Sequence, residues 1–116
     1  MESKIRQGPF KKSEVQKLWE GGGQVLLCEF RQSIAEKITW RDRGNGQMKS
    51  APMLRHTVET ESSTIIVNER VEETFDVNGY EAKFKKGQKV ALFFSEMTVE
   101  KGVTSMRGEL RQVTEG

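Results

Sequence analysis

Along most of this chain apolar and polar residues alternate one by one, the period of a strand whose two faces meet different surroundings. The clearest case lies near the C-terminus, where Val90, Leu92 and Phe94 fall on one side of a strand. After an interruption at Lys101-Gly102, Met106, Gly108 and Leu110 fall on one side of a second, with Arg107, Glu109 and Arg111 opposite. The two runs predict a hairpin with one dry face, and Phe93 and Phe94, in its most apolar stretch, are assigned to packing in the core or across a dimer interface. Further upstream, Leu26, Cys28, Phe30 and Ile34 are expected on one face, with Glu29 and Arg31 on the other. The pattern resumes, as a second strand or beyond a bend, with Ile38 and Trp40 on one face and Thr39, Arg41 and Arg43 opposite. Gly44-Asn45-Gly46 is the strongest turn signal, because Gly and Asn accept the positive φ of tight hairpins. A long hairpin is therefore predicted. In its return arm Pro52 cannot donate a ladder hydrogen bond and marks an edge or bulge, and the arm firms up at Leu54, His56 and Val58. Glu61-Ser62-Ser63 then turns the chain into TIIVNER, where Ile65 and Val67 share a face.

The remaining segments break this period. Residues 1–12 are polar with Gly8-Pro9 and read as a flexible arm. Ser13-Glu14-Val15-Gln16 fits a reciprocal helix cap, and Val15, Leu18 and Trp19 at i, i+3 and i+4 give a short helix one apolar stripe before Gly21-Gly22-Gly23 stops it. The stripe is expected to dock on the sheet or close one end of it, the alternative being a helix that engages a partner. Residues 71–87 have no sustained period and are expected to hold a short helix or an ordered excursion carrying Phe75, Tyr80 and Phe84. Five or six strands, spaced turns and one N-terminal helix predict an all-β chain, a small antiparallel OB-like barrel occupying residues 13–116. Gly108, inside the last strand, suits the bend or bulge that closes such a barrel.

At 116 residues the chain is one domain able to bury a core without disulfides or metal. Its net charge of +2 is too small to argue whole-chain attraction to polyanions, so the distribution of charge matters more. Arg41, Arg43, Lys49 and Arg55 make one basic segment, and Lys83, Lys85, Lys86 and Lys89 a second. Between them lie Glu59, Glu61, Glu69, Glu72, Glu73, Asp76 and Glu81. The single cysteine, Cys28, excludes an internal disulfide and a thiolate-cage zinc site, and its strand setting favours a buried, inert thiol. No apolar run is long enough for a membrane span or a signal-peptide core, which leaves the cytoplasm as the default compartment and no membrane partner. The single histidine, His56, shares a face with Leu54 and Val58 and reads as a packed core residue. No phosphate loop, EF-hand loop or zinc-protease pattern occurs, and Glu72-Glu73 is not singled out as an acid/base couple. The expectation is a non-enzymatic protein with no cofactor and no metal.

Against these absences stand aromatic and basic residues interleaved on strands and turns. Trp40, Arg41 and Arg43 lead into the glycine turn, Lys49 and Arg55 line its return, and Tyr80, Lys83, Phe84, Lys85, Lys86 and Lys89 precede the closing hairpin. Cations that follow phosphates and rings that stack on bases are the physical means of holding a single strand. Tyr80 is the better stacking candidate, since Trp40 shares a face with Ile38 and is assigned more readily to packing.

The basic hairpin with a glycine-rich tip, the short apolar strand from Gly87 to Ser95, and the ending Leu110 to Val113 resemble the OB-fold single-stranded DNA-binding proteins. Among them the chain resembles the small helix-destabilising proteins of filamentous phages, over about residues 40–113. The resemblance implies a cooperative, sequence-tolerant binder of single-stranded DNA, with RNA second, a two-fold dimer, and a basic hairpin acting as a wing on which Arg41, Arg43 and Lys49 contact phosphates. This chain departs from that pattern in its N-terminal helix, its extra residues at 71–86, and Ala51-Pro52 where the wing's return arm would carry an aromatic. Two expectations follow for the structure: the two basic segments converge into one groove, or the same barrel serves as a protein-interaction module through its helix or its Phe93-Phe94 strand.

Overall fold

In the computed structural model, which describes residues 8–114, the order is β1 (Phe10–Lys11), α1 (Lys12–Glu20), β2 (Val25–Arg41), β3 (Met48–Glu59), β4 (Thr64–Arg70), β5 (Lys89–Glu100) and β6 (Val103–Thr114). Strands β2, β3, β4, β6 and β5 form a closed ring, because β5 pairs with both β6 and β2. All neighbours in the ring are antiparallel except β4 and β6, which run parallel because the chain crosses over through residues 71–88 and returns by β5. This is the expected OB-like barrel with an N-terminal helix.

The alternation read from the sequence fills the barrel. Cys28, Phe30, Val58, Ile65, Val67, Val90, Leu92, Met106 and Leu110 form one buried cluster, with Leu26, Phe84 and Phe94 packed against it. The ring closes sharply at Gly108, where a Cβ would lie 2.2 Å from the Phe93 carbonyl oxygen, and a register shift falls beside it between Phe94 and Glu96. No residue with a side chain fits that approach.

A second cluster lies on the outside. Val25 and Ala91 alternate with the inward Leu26 and Leu92, and they pack under Phe10 and Val15. The helix therefore docks on the barrel wall. Of its predicted stripe only Val15 is buried, whereas Leu18 and Trp19 are 42% and 51% exposed. Its start also differs from expectation. The helix begins at Lys12, and the Lys11 backbone N–H donates to the Glu14 carboxylate at 3.1 Å, so Glu14 rather than Gln16 closes the cap. Of the predicted arm, residues 1–7 lie outside the described residues, but Phe10 and Lys11 pair in parallel with Val113 and Thr114 of β6. The buried ring of Phe10, 5.1 Å from that of Phe93, supplies the apolar anchor that the polar composition of this segment concealed.

The largest departure from a compact barrel is the β2–β3 hairpin. β2 pairs with β5 from Val25 to Glu29 and with β3 from Glu29 to Arg41, so each half has one strand beside it among the described residues, and the far half runs on past β5 with β3 alone. β3 in turn meets β4 only from Met53 onward, which leaves Met48–Pro52 as an edge and accommodates Pro52 as expected. The radius of gyration, 15.2 Å, exceeds the roughly 13 Å of a compact chain of this length because this two-stranded wing projects. One detail reverses its expected face. The register jumps between Phe30 and Gln32, which makes Arg31 a bulge residue, and every later side chain of β2 changes sides. Ile34, expected beside Phe30, is consequently 42% exposed. Among the described residues no helix is long and apolar enough to cross a membrane.

Candidate nucleic-acid interface

The wing begins where the sequence leaves the core alternation. Register pairs define its two faces: Ser33 with His56, Ala35 with Leu54, Lys37 with Pro52 and Thr39 with Ser50 on one, Ile34 with Arg55, Glu36 with Met53, Ile38 with Ala51 and Trp40 with Lys49 on the other. The face assignment of Ile38, Trp40, Thr39 and Arg41 matches the sequence reading. Trp40 is 43% exposed, so the ring assigned more readily to packing is open to solvent.

The tip is a tightly hydrogen-bonded turn. The Gly46 N–H donates to the Asp42 carbonyl at 2.8 Å, the Asp42 N–H to the Gln47 carbonyl at 2.8 Å, and the Gly44 N–H to the Asp42 carboxylate at 2.7 Å. Lys49 reaches the same carboxylate at 2.7 Å, and Arg41 donates to the Gly46 carbonyl at 3.1 Å. Hydrogen bonding from Lys49, then from the Gly44 backbone, holds the Asp42 carboxyl below its ordinary value, while its slight burial opposes this. The cations of the wing therefore differ in availability. Lys49 is bound to Asp42, and Arg55 is bound to Glu36 at 2.7 Å. Arg41, Arg43 and Lys37 make no ion pair among the described residues. Lys37, missed in the sequence reading, stands on the face of Thr39, and its place was legible from the same period that placed Arg41.

The second basic segment lies at the wing's root. Lys89 pairs in register with Glu29 and approaches its carboxylate at 3.7 Å. Just before it, the Gly87 N–H donates to the Phe30 carbonyl and the Phe30 N–H to the Gln88 carbonyl, both at 2.8 Å, while the Phe84 ring packs 5.5 Å from that of Phe30. Phe84 thus serves the barrel interior. The half-buried Tyr80 ring lies 5.8 Å from that of Phe75, so one of its surroundings is already aromatic. Lys83, Lys85 and Lys86 are exposed without ion pairs among the described residues, but they share their connection with Glu72, Glu73, Asp76 and Glu81.

The ten candidates consequently fall into two groups. Trp40, Arg41, Arg43, Lys49 and Arg55 belong to the wing, and Tyr80, Lys83, Lys85, Lys86 and Lys89 to the connection at its root. From Glu29 to Arg41 the path along β2 is about 40 Å at roughly 3.3 Å per residue. Glu29, Glu36 and Glu59 lie along it, and Glu59 holds Arg31 at 2.6 Å. The charge pattern suggested one continuous basic groove. The structure gives a root and a tip of one projecting hairpin, with acid–base pairs between, because the acids interspersed on β2 and β3 stay on the wing.

His56 is 3% exposed on the inner face of β3. Its Nδ1 lies 2.5 Å from the Ser33 hydroxyl and its Nε2 2.9 Å from a Glu69 carboxylate oxygen. The histidine is a packed, hydrogen-bonded residue, as its neighbours in sequence indicated. Burial pushes the Cys28 thiol up to about 11, with the nearby Lys89 charge acting weakly in the other direction. No protein-family model matches the chain, and no curated protein sequence is similar to it.

Proposed function

We propose that this chain binds single-stranded nucleic acid, DNA ahead of RNA, along the projecting wing, without sequence preference and without catalysis. The observation that carries this reading is the tip of the hairpin: an exposed Trp40 on one face of the ribbon, with Lys37 and Arg41 on the other and Arg43 at the turn, three cations that have no acidic partner among the described residues. A ring stacked on a base contributes about 1–3 kcal/mol, and each cation at a phosphate releases a counterion. The lysines at the root extend the same contact, and a site of this length lies within the range of roughly 4–16 nucleotides for one OB barrel. Titrating a fluorescent oligothymidine at about 50 and 200 mM salt tests the reading, because phosphate contacts make affinity fall steeply with salt. Absent binding at the lower salt, or an affinity unchanged between the two, rejects it.

A second reading has its own observation. Leu18, Trp19 and Leu27 are 42%, 51% and 40% exposed on the outer wall, where Trp19 and Leu27 line a shallow groove with Val15, Val25 and Leu26. A protein-interaction module would use this apolar patch. Sedimentation of the wild type beside Leu18→Ser/Trp19→Ser separates the readings, since only self-association through the patch is lost in the variant.

A further inference from the structure

Asparagine is followed by glycine twice in this chain, at Asn45-Gly46 on the wing tip and at Asn78-Gly79 in the connection that leads to the root lysines. The dipeptide carries a chemistry of its own. The glycine backbone nitrogen attacks the asparagine side-chain carbon Cγ, and the new N–Cγ bond closes a succinimide ring. Ammonia leaves with the amide nitrogen and the proton that the glycine nitrogen gives up. Water then opens the ring at either carbonyl, leaving aspartate or isoaspartate, so that an amide becomes a carboxylate without an enzyme or an oxidant. Glycine permits the attack because no side chain shields its nitrogen. Two local conditions govern the rate: the glycine N–H must be free of a partner, and the asparagine amide must be free to turn toward it.

The fold treats the two pairs differently. At the wing tip the Gly46 N–H donates to the Asp42 carbonyl at 2.8 Å, and the Asn45 side-chain oxygen accepts from the Gln47 N–H at 2.9 Å. Both reacting groups are thus held in other bonds, and Arg41 fixes the far side of Gly46 by donating to its carbonyl at 3.1 Å. In the connection, Asn78 and Gly79 are exposed in a turn, where the Asn78 backbone N–H donates to the Asp76 carboxylate at 3.0 Å. That bond leaves the reacting atoms alone. Neither the Gly79 N–H nor the Asn78 side chain has a hydrogen-bond partner among the described residues. The turn also calls for glycine on its own account, since a Cβ at position 79 would lie 2.8 Å from an oxygen of the capping Asp76 carboxylate. A new carboxylate at Asn78 would join Glu72, Glu73, Asp76 and Glu81 in the connection that carries Lys83, Lys85 and Lys86.

We propose that Asn78 deamidates spontaneously while the wing-tip hydrogen bonds protect Asn45, and that the carboxylate formed weakens the root's hold on nucleic acid. The weakened hold rests on the function proposed above, but the deamidation does not. Trypsin separates the two sites, since cleavage after Arg43, Lys49, Arg70 and Lys83 releases residues 44–49 and residues 71–83 as different peptides. The folded full chain is incubated in mildly alkaline buffer and sampled by mass spectrometry of these peptides, beside the same chain kept in urea. The peptide 71–83 is expected to gain the mass of an amide-to-acid exchange and to split into aspartate and isoaspartate forms. In the folded chain the peptide 44–49 should lag by about tenfold or more, the delay imposed by opening two hydrogen bonds. In urea both should convert at comparable rates. Comparable rates in the folded chain, faster conversion at Asn45, or an Asn78 that stays intact when folded but converts in urea overturns the proposal. Asn78→Asp introduces the charge without ageing and is expected to bind oligothymidine about two- to fivefold more weakly at low salt, the size of one exposed charge interaction. Equal affinity overturns the weakened hold, and no binding by either chain refutes the functional reading alone.

Discussion

The two halves of β2 are one strand with two fates. From Val25 to Phe30 it has β5 beside it and a core on either face, and Val25, Cys28 and Phe30 are each at most 2% exposed. From Ile34 to Arg41 it has β3 alone, and Ile34 and Trp40 are more than two-fifths exposed. The first half is the more apolar, with Glu29 its one charged residue, yet the second still carries Ile34, Ala35, Ile38 and Trp40. What differs is what lies against the faces: the first half pairs with β5 and packs between the barrel interior and the cluster under α1, the second pairs with β3 and runs on beyond both clusters, and the change occurs at the Arg31 bulge. Val25, Cys28 and Phe30 in the first half stabilise the fold, whereas Ile34 and Trp40 in the second are available to something outside it.

That contrast can be broken most forcefully by truncation. Phe30→Ala is expected to cost about 3–5 kcal/mol in urea unfolding, the range for a large buried side chain, whereas Ile34→Ala stays within about 0.5 kcal/mol. Comparable losses at both positions would mean that the wing is packed against something. Next comes the corner where the barrel closes. Gly108→Ala places a methyl group 2.2 Å from the Phe93 carbonyl oxygen and should lower stability by about 1–3 kcal/mol, while leaving the wing's amide signals unchanged. At the other end of the comparison, Trp40→Ala should leave the urea midpoint nearly unmoved and weaken oligothymidine binding by about 1–3 kcal/mol. An equal loss of stability would place Trp40 among the packing residues.

A last effect, confined to alkaline pH, comes from the buried thiol. The Cys28 thiol ionises at about 9 when unfolded and about 11 when folded, so above the lower value the unfolded chain sheds its proton first and stability falls until the upper value is passed. The wild type should therefore lose more stability than Cys28→Ala across that window, measured as the difference in urea midpoints.

The barrel was legible because burial follows alternation wherever a strand has two neighbours. Val90, Leu92, Leu54, Val58, Ile65 and Val67 all point where the period of two directs them. Ile34 was misplaced because a bulge adds a residue without any local chemical mark; Arg31 is an ordinary strand residue whose special position arises from its pairing with Glu59 and Glu29. The helix stripe was half legible, since periodicity aligns Val15, Leu18 and Trp19 but cannot say how far the barrel wall extends beneath them. For the site, sequence distinguished cations but not their partners. Lys49 and Arg55 look like Arg41 and Arg43 in the chain, yet the fold gives the first two a carboxylate and, among the described residues, leaves the second two without one. Tyr80 was favoured for its irregular, basic setting, and the nearby Phe75 ring was the information missing.

The most direct measurement compares the salt dependence of oligothymidine binding for the wild type and Arg41→Ala/Arg43→Ala. For single strands the logarithm of affinity falls with the logarithm of salt by about 0.7 per phosphate neutralised, so removing two contacts should reduce the slope by about 1.4. A wild type that binds at low salt with a steeper slope than the double variant is the predicted result. Equal slopes, or a wild type that does not bind, would contradict the assignment of the wing as the surface that holds the strand.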